Sequence, residues 1–79
     1  MAHGDEAVEA LREALRLSPD NLPLRLHLAD TLAGFGRYDD AEKEYRQALS
    51  LAPADPRPKL GLATAFYQQG KNSAAVVIV

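Results

Sequence analysis

Tyr38-Asp39-Asp40-Ala41-Glu42-Lys43-Glu44-Tyr45-Arg46-Gln47-Ala48-Leu49-Ser50-Leu51-Ala52-Pro53 reads as one amphipathic helix with both ends marked. Asp39 suits the N-cap, and Glu42, three residues on, can reach back in a capping-box arrangement. Pro53 cannot continue the helix and marks its end. Ala41, Tyr45 and Ala48 stand at i, i+4 and i+7 and therefore share a face. Two of the three are alanine. A small-residue face around one ring suits close helix–helix packing better than a deep aliphatic core.

The same pattern occurs elsewhere at a fixed offset of 34 residues, the step from Ala7 to Ala41 and from Ala41 to Ala75. Shifted back by one period, Tyr45, Ala48, Leu49, Leu51 and Pro53 fall on Leu11, Ala14, Leu15, Leu17 and Pro19. In the segment before the helix, Leu26, Leu28, Ala29, Leu32, Gly36 and Arg37 fall forward onto Leu60, Leu62, Ala63, Phe66, Gly70 and Lys71. One period that relates nearly every structural position marks a repeat array.

The remaining composition narrows the function classes. A chain of 79 residues allows one small domain, and 47% apolar with 25% charged residues is the balance of an ordinary folded protein. The net charge of −2, with both signs interspersed, leaves no basic face for nucleic acid or anionic lipid. Without cysteine there is no disulfide framework and no thiolate chemistry, which fits a reducing, cytoplasmic setting. The apolar run at Ala74–Val79 is too short to span a bilayer, so no membrane partner is expected.

In chain order, residues 1–4 read as a lead-in and residues 5–79 as a single domain. The first helix is expected over Asp5–Leu17, with Asp5 as cap and Ala7, Leu11, Ala14 and Leu15 as the inner stripe. Glu9 with Arg12, and Glu13 with Arg16, form i, i+3 pairs on its outer face. Leu22–Leu28 alternates like a strand, but Pro23 after an Asn21 cap and the helical spacing of Leu24, Leu28, Thr31, Leu32 and Phe35 make it a helix. Gly36 supplies its left-handed C-terminal residue. A fourth helix, Arg57–Gln69, is capped by Asp55, opened by Pro56 and ended by Gly70. Ser73 is placed to cap a fifth, of which Ala74–Val79 is a stub.

With period, helix–turn–helix unit and residue types together, the chain resembles the tetratricopeptide repeat family across residues 5–79. Residues 22–55 form a full repeat, with Leu28, Ala29 and Leu32 in its first helix and Ala41, Tyr45, Ala48 and Pro53 in and after its second. Residues 5–21 match the second half of a repeat. Residues 56–79 match a truncated one, so the chain reads as a fragment of a longer protein. Two features depart from the family pattern. The early tryptophan-type position holds Arg25 in one copy and Lys59 in the next. Gly61 stands inside a helix, where glycine costs about 1 kcal/mol against alanine.

The resemblance implies an all-α superhelix whose first helices line a concave groove for a peptide or protein. Carried over residue by residue, the groove positions are Pro23, Leu26, His27, Asp30, Ala33 and Gly34, then Arg57, Leu60, Gly61, Thr64, Tyr67 and Gln68. The subgroup that grips C-terminal carboxylates of chaperones uses lysine and asparagine where this chain has Leu26 and Asp30, which excludes that specificity.

Other patterns have plainer explanations. His27 and Asp30 lie one turn apart but lack a third metal ligand, and a solvated helix face accounts for them. Asp39, Asp40, Glu42 and Glu44 fit capping and dipole pairing at a helix start rather than an acidic site. Leu26 and Leu60 fit either a peptide-binding stripe or packing on a neighbouring helix. Tyr67 fits a partner anchor or, more simply, partial burial at the repeat junction. No nucleophile–base–orienter set and no phosphate loop is present, so neither catalysis nor a cofactor has a residue to rest on. Two functions follow: a protein-interaction module acting through the groove, or a structural element that assembles a larger parent through open repeat ends. For the second, the apolar Val76, Val77, Ile78 and Val79 are the expected self-association surface, most simply of a homodimer.

Overall fold

The computed structural model describes residues 2–70, and side chains from residue 6 onward. They form four helices and no strand: α1 (Ala2–Leu17), α2 (Leu22–Gly34), α3 (Tyr38–Leu51) and α4 (Pro56–Gln68). The expected fifth helix, its Ser73 cap and Val76–Val79 lie outside the described residues. Consecutive helices pack on one another, and α2 also touches α4. The assembly extends 33 × 30 × 12 Å, a thin layer with two broad faces.

Local sequence sets most boundaries. Asn21 Oδ1 accepts from the Leu24 amide at 3.1 Å, and Pro23 sits in the first turn of α2. Its far end closes with Gly36 at φ 80°, where the Gly36 amide donates to Ala33 (3.0 Å) and the Arg37 amide to Leu32 (2.9 Å). That is a Schellman motif, and it satisfies carbonyls the helix leaves open. Asp55 caps α4 through the Arg57 amide at 2.9 Å. Gly70, at φ 81°, ends it as Gly36 ends α2.

Other boundaries differ from expectation. The first helix starts at Ala2, which places Asp5 inside it rather than at its cap. The capping box at Asp39 does not form: α3 starts at Tyr38 and its N-cap is Arg37, without a side-chain cap bond. Asp39 and Asp40 fall in the first turn, where their charge suits the helix dipole. Asp40 pairs with Arg37 at 3.0 Å, and Glu42 pairs with Arg46 at 3.1 Å instead of reaching back.

The core is built on the small-residue face read from the sequence. Ala29, Leu32, Ala41 and Ala48 are wholly buried, and Tyr45, Leu28 and Leu62 nearly so. With alanine on both sides of the α2–α3 contact, the helices approach closely and the ring of Tyr45 fills the remaining space. Arg46 lies over the Phe66 ring, 5.5 Å from its centre, and ties α3 to α4. On α1 the inward stripe is Val8, Leu11 and Leu15, whereas Ala7 is exposed. Ala7 corresponds to Ala41, which faces the preceding helix of its hairpin. No helix among the described residues covers that side of α1.

Candidate partner-binding groove

A groove of about 500 Å³ lies between α2 and α4. Four predicted positions of α2 border it: Pro23, Leu26, His27 and Asp30. Their counterparts one period later, Arg57, Leu60, Gly61 and Thr64, border it from α4. The repeat therefore brings two equivalent sets of side chains to one place. Ala33, Gly34, Tyr67 and Gln68 are not among the lining residues.

The two leucines occupy the same place in the repeat and have opposite environments. Leu26 is only 7% exposed and belongs to the core cluster, while Leu60 is 58% exposed. Helix α2 is flanked by α1 as well as by α3 and α4, whereas α4 touches only α2 and α3 among the described helices. Leu26 is thus core at the groove's edge, and Leu60 is the free apolar side chain. Tyr67 is 66% exposed, so it is not tucked into the repeat junction.

Tyr45, from α3, reaches the groove between these helices. Its ring approaches the α4 backbone at Gly61, where an added β-carbon would stand 2.5 Å from Cδ1 and from Cζ. Glycine is the residue that admits the ring there. The Tyr45 hydroxyl donates to Asp30 Oδ1. Burial raises the Tyr45 pKa, and the Asp30 carboxylate raises it further by accepting this bond and by its charge. The hydroxyl therefore stays protonated and holds Asp30 in place.

Arg57 is already engaged. Its Nη2 donates to Asp55 Oδ2 at 2.7 Å, and its Nε lies 3.1 Å from Oδ1. The Arg57 side chain, and then its amide, hold the Asp55 carboxyl below its ordinary range. His27 is exposed at the rim. Among the described residues no group of three His, Cys, Asp or Glu is placed to hold a metal.

A separate polar cluster was not legible in the sequence. Glu44, expected among the acids of a helix start, lies further along α3, faces inward and is 9% exposed. Its Oε1 accepts from Arg25 Nη1 at 2.7 Å and its Oε2 from Arg12 Nη1 at 3.3 Å. Arg12 thus reaches across to α3 rather than pairing with Glu9. One carboxylate joins α1, α2 and α3, and the Arg25 guanidinium fills the corner where the family pattern has an aromatic ring.

The tetratricopeptide repeat family model matches this sequence at residues 3–46 and again at 32–79. Cellulose synthase operon protein C of Pseudomonas fluorescens (strain SBW25) is 31% identical over 74 residues, which are 94% of this chain and 6% of that protein. The protein CTR9 homolog of Arabidopsis thaliana is 31% identical over 72 residues, 90% of this chain and 7% of that one. Among solved structures, MamA AMB-1 superposes with a TM-score of 0.90 at 27% identity, over 98% of this chain and 46% of the other. MamA MSR-1 gives 0.90 at 28% identity, over 96% and 44%. The chain spans under a tenth of those curated relatives and under half of those solved chains.

Proposed function

The chain belongs to the tetratricopeptide repeat family, and we propose that it is a protein-interaction module that holds a peptide or protein segment in the groove between α2 and α4. The observation that carries this reading is Leu60, a largely exposed leucine lining a groove that the Tyr45–Asp30 hydrogen bond also borders. Apolar side chains presented in a concavity beside a few oriented polar groups suit recognition of a partner. Tyr67 and Gln68, exposed on the next turn of α4, would lengthen the contact. The residues in the groove offer binding chemistry and no reaction. A cytoplasmic setting belongs to the same reading, supported by the cysteine-free sequence. No helix among the described residues is long and apolar enough to cross a membrane.

The test is a pull-down from source cells with the parent protein in three forms: wild type, Leu60→Ser and Leu17→Ser. Leu17 is 72% exposed and lies outside the groove, so it serves as the surface control. A partner retained by wild type and Leu17→Ser but lost by Leu60→Ser supports the groove. Retention by all three refutes it.

A second reading, a structural element that assembles through its repeat ends, is favoured by the exposed Ala7 face of α1. Self-association through Val76–Val79 is the other route that this reading proposes. Light scattering over a concentration series distinguishes the two functions, since the groove reading needs no change in mass.

A further inference from the structure

We propose that the groove selects segments in which a basic side chain, lysine or arginine, stands close to an apolar one. The inference rests on the groove reading above and names the partner's chemistry. Two ionised side chains border the groove, Asp30 and Arg57. They are not equivalent. Arg57 is neutralised by Asp55 through a multiply bonded ion pair. Asp30 forms no ion pair with a cation among the described residues. Its Oδ1 accepts from an uncharged hydroxyl, so the full negative charge remains on an exposed carboxylate at the groove wall.

That carboxylate is also held ready. The Tyr45 ring is fixed under α4 by the missing side chain at Gly61, and its hydroxyl fixes Asp30 from α2. Oδ2 is left to accept from a ligand. A charge-assisted hydrogen bond to a pre-positioned acceptor avoids the entropy of ordering a free side chain. Leu60 and Pro23, exposed on opposite walls, provide the apolar footing beside it. An acidic segment would place like charge against Asp30 with no unpaired cation in the lining to offset it. The equivalent position one repeat later is Thr64, whose hydroxyl donates to the Leu60 carbonyl at 2.9 Å, so the selection resides at one point of the groove.

The experiment is parallel selection of a displayed random 12-residue peptide library on the wild-type chain and on Asp30→Asn. Peptides that still bind Leu60→Ser, which removes the apolar footing without adding charge, are removed from both pools. Asparagine keeps an oxygen for the Tyr45 hydroxyl and removes only the charge, and a thermal melt checks that the variant is folded. The expected result is enrichment of lysine or arginine near an apolar residue in the wild-type pool. That enrichment should disappear with Asp30→Asn, and the selected synthetic peptides should bind the variant about tenfold more weakly. Groove-dependent peptides that are neutral or acidic, or that bind Asp30→Asn equally well, overturn this inference and leave the groove reading standing. A wild-type pool with no Leu60-dependent peptide overturns both.

Discussion

Gly61 and Tyr45 are in such close register that a single methyl group on α4 would overlap the ring, standing 2.5 Å from its Cδ1 and Cζ. Read from the sequence, Gly61 is a weakness inside a helix. In the fold it is what lets α4 close on α3 while Tyr45 still reaches Asp30.

Gly61→Ala should therefore lower stability although alanine is the better helix former. The propensity gain is about 1 kcal/mol, and overpacking against a buried ring costs about 1–3 kcal/mol before the backbone shift that a contact this close demands. The melting temperature, followed by circular dichroism, should fall by several degrees. In the Tyr45→Ala background the same substitution should be neutral or stabilising, because the atoms it meets are gone. Equal losses in both backgrounds would contradict the contact.

Glu44→Ala should be among the more damaging single substitutions on α3. It removes the acceptor of two guanidinium groups and leaves Arg25 mostly buried without its partner. Breaking such a pair costs about 2–3 kcal/mol for a partly buried site, below the range for a fully buried one. For a domain of this size that corresponds to a fall of roughly 10 °C or more in melting temperature. Glu13→Ala, which removes an exposed helical pair with Arg16, should leave the melting temperature nearly unchanged. A reversed order would contradict the three-helix role of Glu44.

The fold was largely legible because its signals are local. Asn21, Asp55, Gly36 and Gly70 act on the backbone within a few residues, and the spacing of Ala41, Tyr45 and Ala48 fixes a face without knowledge of its partner. Glu44 was misread for the opposite reason: its role depends on Arg12 and Arg25 arriving from two other helices. Leu26 and Leu60 show a further limit. The period makes them equivalent, but exposure depends on how many helices flank each, which the period does not encode. The link from Gly61 through Tyr45 to Asp30 spans three helices, and its one trace in the sequence was an interior glycine without a local reason.

Alkaline pH should expose the Tyr45–Asp30 bond. The folded state raises the Tyr45 pKa above its ordinary value of 10.0. As pH rises past that value the unfolded chain gives up its proton first, so stability present below it is lost above it. Thermal melts between pH 8 and pH 11 should show the wild type weakening at the alkaline end. Tyr45→Phe, less stable at pH 8 for want of the hydrogen bond, should show a smaller decline. Parallel curves would contradict a raised Tyr45.

The central claim, that the surface between α2 and α4 receives the partner, is tested most directly by an amide NMR shift map of the chain titrated with its bound peptide or partner segment. The account predicts the largest shifts at His27, Asp30, Leu60, Gly61 and Thr64, with little change at Leu17 or Arg16 on α1. Shifts concentrated on α1, or along the outer face of α3 at Lys43 and Gln47, with the groove unmoved, would contradict it.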